Sequence, residues 1–237
     1  MKICIIGYGK MGKAIEQIAI SRGHEVTGKI TSTNFSNLHH FLKKSDVAIE
    51  FTVPETVLGN IEACFNHNVP VVVGTTGWNG QIESIGNQAT LNNKGLFYAS
   101  NFSVGVNLFF ELNKKLASLM NPLKNYDVSM EEIHHIHKLD SPSGTAITLA
   151  EQVIGNLDQK SSWIEGANAE ESQLQISSKR ENEVPGTHIL SYESDVDLIQ
   201  IKHEAKNREG FALGAVLAAE FMKNKTGVFG MKDLLKL

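Results

Sequence analysis

The chain has 237 residues, of which 41% are hydrophobic and 20% are charged, and its formal net charge at pH 7 is −4. This length allows two modest domains, and this composition is that of a folded globular protein. The acidic balance excludes nucleic acid or an acidic membrane surface as the main partner, so an anionic ligand must be held by a local positive cluster. Cys4 lies in an apolar run and Cys64 in a helical pattern, which predicts reduced, buried thiols.

The opening of the chain, MKICIIGYGKMG, bears on localisation. Its apolar run is too short for a signal peptide and leads directly into glycines. No stretch reaches the length of about 20 apolar residues that a membrane-spanning helix needs. The sequence therefore predicts a cytoplasmic protein without a membrane partner.

The first hundred residues alternate short β-branched runs with stretches of helical periodicity. Lys2–Ile6 is the first run, and a helical pattern follows it as far as Gly23. Further strands are predicted at Val26–Ile30, Val47–Phe51, Val69–Val73 and Gly95–Ala99. Helix-compatible stretches such as Glu55–Asn68 and Gln81–Asn92 separate them. This alternation predicts an α/β fold with a doubly wound parallel sheet.

The pattern changes after Asn101. A long amphipathic helix is predicted over Val106–Met120, and an apolar-rich helix over Phe211–Met222. Strands are predicted at Tyr126–Ile133, Gln173–Lys179, Thr187–Tyr192 and Val196–His203. Because turns or loops rather than helices separate the last three strands, the C-terminal part is predicted to be an α+β domain with a mostly antiparallel sheet.

The loop GYGKMG carries a G-x-G-x-x-G motif. Between a strand and a helix, glycines at this spacing let the backbone approach a pyrophosphate at the helix N-terminus. Because the loop opens an alternating β/α region, we predict a Rossmann-type dinucleotide site. The alternative is a tight turn with close helix packing. The loop residues predicted at the cofactor are Gly7, Tyr8, Gly9, Lys10, Met11 and Gly12.

The end of the second predicted strand bears on the choice of nucleotide. Folds that prefer NADH usually have an acidic residue there, which binds the ribose 2′-hydroxyl. The sequence of Lys29–Asn34 is KITSTN and has no carboxylate. Hydroxyls and a lysine permit a 2′-phosphate, so both NADPH and NADH are expected as cofactors. The alternative for Lys29 is a solvated surface residue.

The segment Glu131–Ala146, EEIHHIHKLDSPSGTA, concentrates three histidines, a lysine and a Ser-Gly-Thr turn. Histidine titrates near neutral pH and lysine carries a compact positive charge, so this segment can donate a proton and hold an anion. Ser143 is the predicted N-cap of a helix over Gly144–Ile154. The free N–H groups at the start of that helix suit an anionic group. These features together indicate enzyme chemistry.

The histidines have two other interpretations. The sequence HHIHK could be a solvated strand end, or His134 and His137 could bind zinc with Glu131. A zinc site needs three or four ligands at defined spacing, and the two cysteines are far away in the sequence. We therefore predict no metal.

Further motifs occur along the chain. They are FTVPE at Phe51–Glu55, GTTGW at Gly74–Trp78, NFSVGVN at Asn101–Asn107, VPGTH at Val184–His188 and NREGFALGAVLAAEF at 207–221. Together with GYGKMG and HHIHKLDSPSGTA, and in this order over nearly the whole chain, they closely resemble the dihydrodipicolinate reductases, now called 4-hydroxy-tetrahydrodipicolinate reductases, of the bacterial and plant lysine and diaminopimelate pathway. The chain is most similar to bacterial members. It departs from the family in having Ser141 where alanine is common, the short glycine loop, and no charged pair after the second strand; the last two leave the cofactor preference open.

The resemblance implies a reaction and the residues that perform it. The reaction would be hydride transfer from NADPH or NADH to 4-hydroxy-tetrahydrodipicolinate, a small dicarboxylate, with loss of water. By position in the motif, His134 would be the general acid and Lys138 its partner as a proton donor or electrostatic stabiliser. The substrate would be bound by His135, Gly144 and Thr145. His137 has no assigned role and is expected to be structural.

The resemblance also assigns further cofactor residues and two domains. The cofactor residues are Phe51, Thr52, Gly74, Thr75, Thr76, Ala99, Ser100, Asn101 and Phe102; turn formation is the alternative explanation for these Gly- and Asn-containing loops. Residues 1–103 would form the dinucleotide-binding domain, completed by the C-terminal helix at 209–237. Residues 104–208 would form a domain for substrate binding and oligomerisation, as a homotetramer. Hinges near Ser103 and Arg208 would let the domains close over the substrate.

Two competing functions share part of this pattern. A diaminopimelate or diaminopentanoate dehydrogenase would share the glycine loop but not HHxHK followed by SPSGT. A nucleotide-sensing binding module would need no proton donor, whereas this sequence offers His134 and Lys138. The motifs therefore favour the reductase.

Overall fold

The computed structural model describes residues 1–207 and 209–237. These residues form two compact units, one made of Met1–Val104 together with Glu209–Leu237 and the other of the residues between them. The hinge expected at Arg208 lies outside the described residues.

The strands and helices of the described residues are numbered in chain order. The strands are β1 (Lys2–Ile6), β2 (Glu25–Ile30), β3 (Val47–Glu50), β4 (Val71–Val73), β5 (Gly95–Tyr98), β6 (Asp127–His134), β7 (Ser162–Glu165), β8 (Gln173–Arg180), β9 (Thr187–Glu193), β10 (Leu198–Glu204) and β11 (Gly227–Phe229). The helices are α1 (Lys10–Ser21), α2 (Leu38–Leu42), α3 (Pro54–Asn66), α4 (Ile82–Leu91), α5 (Val104–Met120), α6 (Gly144–Ile154), α7 (Glu209–Met222) and α8 (Met231–Leu235), with short 3₁₀ turns at Phe35–Asn37 and Asn79–Gln81.

The first unit contains a parallel sheet in the strand order β11-β5-β4-β3-β1-β2. Side chains alternate along β1: Ile3 and Ile5 pack with α1 and α7 on one face, whereas Cys4 and Ile6 pack with α2 and α3 on the other. Each fully buried Ile side chain contributes about 1.5–3 kcal/mol to stability. Helices on both faces confirm the predicted doubly wound sheet. The short strand β11 was not predicted.

The predicted state of the cysteines is confirmed. Cys4 and Cys64 are both free and fully buried. Burial raises the pKa of the Cys4 thiol to about 12. Both residues therefore act as small apolar side chains of the core.

The second unit contains a sheet in the order β10-β9-β6-β8-β7. The ladders β6–β9 and β9–β10 are antiparallel, as predicted, whereas β6–β8 and β7–β8 are parallel. The β6–β8 pair is parallel because α6 and β7 lie between these two strands in the chain, which crosses over and returns in the same direction. Strand β7 was not predicted, and the parallel β6–β8 and β7–β8 pairs make the sheet mixed.

The two faces of this second sheet differ. One face packs its apolar residues, including Val128, Met130 and Leu190, against α6. The opposite face carries a shallow polar depression lined by residues such as Ser129, Glu131 and Gln200. No helix in either described part of the chain is long and apolar enough to cross a membrane.

Candidate active site

The three glycines between β1 and α1 have different surroundings. Gly7 has a φ of +95°, and a Cβ placed on it would lie 2.0 Å from the carbonyl oxygen of Phe51. A Cβ on Gly12 would lie 2.3 Å from the carbonyl oxygen of Gly7. Around Gly9, by contrast, no other part of the described chain lies within 4 Å of such a Cβ. Close packing therefore explains Gly7 and Gly12, whereas Gly9 leaves space for a group from outside the chain.

Helix α1 begins at Lys10, and Lys10, Met11 and Gly12 form its first turn. Gly9 is its N-cap, and no side chain among the described residues caps this end. The free N–H groups and the positive end of the helix dipole are therefore available to an anion. Together with the open space at Gly9, this arrangement suits a pyrophosphate.

A cleft of about 410 Å³ opens beside the glycine loop, at the carboxyl ends of β1, β2 and β3. Helices α1 and α3 lie on opposite faces of the sheet at this point, and ligands of open α/β sheets bind at such a switch point. The cleft is lined by the predicted cofactor residues Gly7, Tyr8, Gly9, Phe51 and Thr52, together with Ile6, Ile30, Thr31, Ser32, Phe35, Val53, Thr56 and Asn60.

The segments that follow β4 and β5 are joined through Phe51. A Cβ on Gly74 would lie 2.2 Å from the Phe51 ring, so glycine is needed there for the ring to pack. The ring centre of Phe102 lies 5.5 Å from that of Phe51. Thr75 Oγ1 accepts a hydrogen bond of 2.7 Å from the Thr52 backbone N–H. Three segments predicted at the cofactor are therefore held together at one edge of the sheet.

The other predicted residues of these segments have mixed exposure. Thr76 and Ser100 are exposed and Ala99 is buried. Asn101 Oδ1 accepts a hydrogen bond of 2.9 Å from the Ser103 backbone N–H. Local turn formation therefore accounts for part of the role of Asn101.

Lys29 is neither a free cation nor simply solvated. Its Nζ lies 2.8 Å from Glu16 Oε1, and the Tyr8 hydroxyl donates a hydrogen bond to the same carboxylate. These contacts from Lys29 and Tyr8 lower the pKa of Glu16. The positive charge at the end of β2 is thus already paired with an anion from α1.

Glu50, at the end of β3, is a fully buried carboxyl group beside the cleft. Its Oε1 accepts a hydrogen bond of 3.1 Å from Asn60 Nδ2 and another from the Thr52 hydroxyl. Its Oε2 has no hydrogen-bond partner within the described residues. Burial raises the pKa of Glu50, although its polar neighbours Thr52, Thr75 and Asn60 oppose that effect. Sequence reasoning did not single out this residue.

In the second unit, the N-terminus of α6 has the predicted form. Ser143 Oγ accepts a hydrogen bond of 3.2 Å from the Ala146 backbone N–H, which confirms Ser143 as the N-cap. Gly144 is exposed, and apart from its chain neighbours and the backbone of α6, nothing in the described chain lies within 4 Å of a Cβ placed on it. The first turn, with Gly144 and Thr145, therefore presents its backbone to ligands.

A buried carboxylate lies at the centre of the histidine-rich segment. Glu132 is fully buried, and its Oε1 and Oε2 lie 3.1 Å and 3.2 Å from the backbone nitrogen of Ser143. Arg180 Nη1 lies 3.5 Å from Oε1. On the other side, His134 Nδ1 and His188 Nε2 lie 3.5 Å and 3.7 Å from Oε2. One carboxylate therefore contacts two strands, the start of α6 and two imidazole rings.

The sheet register produces this cluster. Glu132 of β6 lies directly opposite His188 of β9, and His134 lies opposite Arg180 of β8. Glu132 and His134 share one face of β6 because side chains alternate along a strand. The spacing of Glu132 and His134 in the sequence is enough to predict that they share a face of the strand. The two cross-strand pairs cannot be read from the local sequence.

Burial and nearby charges have opposing effects on the pKa values of Glu132 and His134. Burial alone would raise the pKa of Glu132, but contacts with His188, Ser143 and His134 lower it to about 2. Burial lowers the pKa of His134 to about 4, against the raising effect of Glu132. The charges of His188, Lys138 and Arg180 also lower it. Without substrate, His134 is therefore a neutral imidazole near pH 7 beside an ionised carboxylate.

Lys138 lies close to this cluster but has its own counterion. Its Nζ donates hydrogen bonds of 2.7 Å and 2.8 Å to the two oxygens of Asp140. Arg180 Nη2 donates a bond of 2.7 Å to the Asp140 carbonyl oxygen, and Nε donates one of 3.4 Å to that of Lys138. The loop that carries Lys138 is thus attached to β8 by the Arg180 guanidinium.

The zinc site considered from the sequence is not formed by the residues named for it. Glu131 contacts Lys179, and the exposed His137 contacts Glu183 at 3.1 Å. The structure brings together a different set, since Glu132, His134 and His188 each place one potential ligand atom within 4.8 Å of the others.

The two remaining histidines of the segment differ in exposure. His135 is half-buried, and its Nδ1 is buried without a hydrogen-bond partner in the described chain. His137 is 68% exposed. His135 is therefore the more suitable of the two for holding a ligand atom, because His137 is directed to solvent.

The sequence of the chain is similar to those of known proteins. The chain matches the family models "Dihydrodipicolinate reductase, N-terminus" over residues 1–102 and "Dihydrodipicolinate reductase, C-terminus" over residues 105–235. It is 49% identical to 4-hydroxy-tetrahydrodipicolinate reductase of Christiangramia forsetii over 99% of this chain and 98% of that protein. It is 35% identical to the enzyme of the same name from Rickettsia rickettsii, over 97% of this chain and 96% of that one.

Solved structures agree in fold. A dipicolinate-bound dihydrodipicolinate reductase from Paenisporosarcina sp. TG-14 has a TM-score of 0.76 at 23% identity, covering 97% of both chains. The diaminopimelate dehydrogenase of C. glutamicum, in complex with DAP, has a TM-score of 0.53 at 11% identity, covering 98% of this chain and 92% of that one. The family resemblance predicted from the motifs is confirmed, and the chain belongs to the dihydrodipicolinate reductase family.

Proposed function

We propose that this protein reduces 4-hydroxy-tetrahydrodipicolinate to tetrahydrodipicolinate, with loss of water, using NADPH or NADH, in lysine and diaminopimelate biosynthesis. Family membership over almost the whole chain supports the reaction. The observation that carries the proposal is the cluster of His134, Lys138 and the open N-terminus of α6, which offers a proton donor and anion-binding groups in one place. The first unit would bind the cofactor, and the second the substrate.

Groups suited to the substrate carboxylates lie around His134. The backbone N–H groups of Gly144 and Thr145 would bind one carboxylate at the positive end of α6. His135 would contact the substrate from the strand end. A planar dicarboxylate such as dipicolinate, which is bound in the structure of the Paenisporosarcina protein, would suit the same groups and is a stable probe of this site.

His134 would supply the proton in the reaction. In the free protein the imidazole is neutral, because burial lowers its pKa to about 4. A bound dianion would raise that pKa, so substrate binding would bring a proton to the ring at the moment it is needed. His134 would then protonate the substrate skeleton as reduction proceeds.

Lys138 would exchange partners during substrate binding. Its ammonium is held by Asp140, whose side chain is 61% exposed. An exposed ion pair contributes only about 0–1 kcal/mol, so a substrate carboxylate can compete with Asp140 for the lysine. Once released, Lys138 would stabilise negative charge that develops on the substrate or donate a proton.

The residues of the first unit fit a nicotinamide dinucleotide. The open space at Gly9 and the uncapped end of α1 suit the pyrophosphate, and the cleft at Thr31 and Ser32 suits the adenosine ribose. The segments at 74–76 and 99–102 would hold the nicotinamide end. When bound, the cofactor supplies the hydride. Hydroxyls at the end of β2 support use of both NADPH and NADH.

The assembly is proposed from the family resemblance. The second unit would build a homotetramer, and the polar face of its sheet, with Ser129 and Gln200, is suited to water-containing contacts between copies. Light scattering coupled to size-exclusion chromatography would give the mass directly, and a stable monomer would contradict this part of the proposal.

A coupled assay tests the reaction. Freshly generated 4-hydroxy-tetrahydrodipicolinate is supplied, and loss of reduced nucleotide is followed by absorbance. Nucleotide oxidation that depends on this substrate supports the proposal. Binding of nucleotide without turnover would favour a sensing module, and oxidation of diaminopimelate with NADP⁺ as the sole activity would favour a dehydrogenase.

A further inference from the structure

We propose that Glu132 is a positioning residue that fixes the ring orientation and the protonated nitrogen of His134, and that also fixes the start of α6. This inference rests on the proposed role of His134 as proton donor. It adds to the site a residue that would not itself touch substrate or cofactor.

Glu132 is held from one side by groups that leave it little freedom. It is fully buried, and its oxygens lie near the Ser143 backbone nitrogen, with the Arg180 guanidinium next to Oε1. A buried carboxylate is costly unless donors surround it, so these contacts define one position for the group. The N-cap residue of α6 and the carboxylate are thereby fixed to each other.

On the other side, Oε2 faces His134. The distance to Nδ1 is 3.5 Å, and Nδ1 is buried and has no hydrogen-bond partner in the part of the chain that is described. An ionised carboxylate beside this nitrogen favours a proton on Nδ1. The lone pair of the neutral ring is then on Nε2.

Gly186 keeps that second nitrogen accessible. A Cβ on Gly186 would lie 3.0 Å from His134 Nε2, so a larger residue would cover it. The ring is therefore oriented with Nδ1 towards the buried carboxylate and Nε2 towards a position kept free of side-chain atoms. Nε2 is the nitrogen that can receive a proton and pass it to substrate.

His188 completes the positioning of the ring. Its Nε2 lies 3.7 Å from Glu132 Oε2 and 3.2 Å from Ser143 Oγ. Its ring centre lies 5.1 Å from that of His134 at an interplanar angle of 72°. This edge contact limits rotation of His134, and the same carboxylate fixes both rings.

The charges around His134 show why the carboxylate matters. Lys138, Arg180 and His188 all disfavour the imidazolium, and Glu132 is the group that favours it. Without the negative charge, protonation of His134 in the substrate complex would be opposed by three cationic or potentially cationic neighbours. Glu132 would therefore support the charged form as well as the orientation.

A metal ion is the competing explanation for this cluster, since Glu132, His134 and His188 have suitable ligand atoms. The Ser143 backbone N–H already donates to the carboxylate, and the positive Arg180 guanidinium lies 3.5 Å from it. A divalent cation would have to enter against these groups. The positioning role is therefore favoured, and metal dependence is one outcome of the test.

The test compares Glu132→Gln with Glu131→Gln as a matched control. Glu131 is the next residue of β6, but it faces the opposite side of the sheet and pairs with Lys179. In Glu132→Gln, we expect the amide oxygen to stay with Ser143 and Arg180, and the NH₂ group to face His134. A donor at that place moves the ring proton from Nδ1 to Nε2.

The readouts are steady-state kinetics and ¹⁵N NMR of labelled histidine, with the His134 signals assigned from His134→Gln. Glu132→Gln should lower kcat by at least about tenfold, with a smaller change in KM, and should change the His134 tautomer at neutral pH. Glu132→Asp keeps the charge and should retain the wild-type tautomer. Glu131→Gln should stay within about twofold of wild type. Dipicolinate titration checks that each variant has a formed substrate site.

The outcomes separate this inference from the proposed function. If His134→Gln loses turnover but Glu132→Gln keeps both kcat and tautomer, the positioning role is wrong and the role of His134 stands. If His134→Gln is active but Glu132→Gln changes the tautomer, the proposed role of His134 fails instead. Loss of wild-type activity on chelation, restored by zinc, would replace positioning with metal binding. If Glu132→Gln does not fold, an unchanged tautomer and kcat in Glu132→Asp support the inference, and a changed tautomer in it overturns it.

Discussion

The Lys29 ammonium lies 2.8 Å from Glu16 Oε1, so the cation at the end of β2 and an anion of α1 form a pair next to the glycine loop. The ammonium also lies 5.2 Å from the centre of the Tyr8 ring, which lines the cleft. A 2′-phosphate near β2 would compete with Glu16 for Lys29. A ribose 2′-hydroxyl would not need to do so.

We expect the enzyme to use both nucleotides, with at most a modest preference for NADPH. Thr31 and Ser32, rather than a carboxylate, directly follow β2, so no negative charge at the end of that strand repels the 2′-phosphate. A partly exposed contact with Lys29 adds only about 0–1 kcal/mol, which is a several-fold effect. The nucleotide preference is measured as the ratio of kcat/KM for NADPH to kcat/KM for NADH. A roughly hundredfold preference for NADH would show that the adenosine ribose does not bind at the end of β2.

Two variants test how the Lys29–Glu16 ion pair affects the preference between NADPH and NADH. Lys29→Ala removes the cation near the 2′-position and should shift the ratio several-fold towards NADH. Glu16→Gln frees the lysine from its ion pair and should shift the ratio towards NADPH. Lys13, an exposed lysine of the same helix as Glu16, offers a control in Lys13→Ala. If Lys29→Ala leaves both nucleotides unchanged, Lys29 does not contact the cofactor.

His134→Gln should lower kcat far more than it raises KM. General acids typically contribute about 10²- to 10⁴-fold, and they act in the transition state. Because a bound dianion raises the pKa of His134 from about 4, dipicolinate binding near pH 7 should also take up a proton. Calorimetry in buffers of different ionisation enthalpy would count that proton. Near-normal kcat, or proton uptake that persists in His134→Gln, would exclude His134 from the role.

Lys138→Ala should reduce both turnover and affinity for the dicarboxylate, and leave nucleotide affinity close to wild type. The reason is that Lys138 lies in the second unit with the α6 anion site, whereas the glycine loop lies in the first. Calorimetric titration with each ligand separates the two effects. An equal loss of nucleotide affinity would show that the lysine serves the cofactor or the fold.

Replacing Asp140, the partner of Lys138, should have the opposite effect on affinity for the dicarboxylate. Asp140→Asn removes the carboxylate that now accepts two hydrogen bonds from Lys138. Dipicolinate affinity should rise by up to several-fold, because the released ammonium no longer has to leave an ion pair. Weaker binding in Asp140→Asn would mean that Asp140 holds Lys138 in its active position.

Local patterns predicted much of the fold. Ser143 and the apolar periodicity behind it predicted a helix whose bounds, Gly144–Ile154, are those of α6. The glycine loop and alternating runs predicted the parallel sheet. Strands β7 and β11 were missed because they are four and three residues long and carry little apolar signal. Short strands are stabilised by their neighbours, which a local pattern does not contain.

The candidate site was predicted less completely, for the same reason. His134 and Lys138 lie in one segment, so a motif can show both. The pairing of Glu132 with His188 depends on the register of β6 against β9. The pairing of Lys29 with Glu16 depends on how α1 packs beside β2. Such contacts join residues far apart in sequence. The alternation of Glu132 and His134 on β6 was the one local signal of the buried carboxylate.

The burial of Glu50 makes the stability of the folded protein depend on pH. Burial raises the pKa of this carboxyl in the folded protein, so the folded state favours the neutral acid. Its contribution to stability is therefore fully present below the pKa of the unfolded chain, about 4.3, and is lost as pH rises through the folded pKa. Glu50→Gln keeps a neutral group of the same shape and an oxygen for Asn60 Nδ2 at every pH.

We therefore expect the free energy of unfolding of Glu50→Gln, relative to wild type, to increase as pH rises from about 4 to 8. Urea unfolding at several pH values measures it, and a Trp163→Phe background leaves the buried Trp78 as the fluorescent reporter of the unit that contains Glu50. Glu55→Gln is the control, since Glu55 is exposed in the first turn of α3. A difference between Glu50→Gln and wild type that stays constant over this range would mean that Glu50 is ionised in the folded protein, and that the cleft beside Asn60 contains a fixed negative charge.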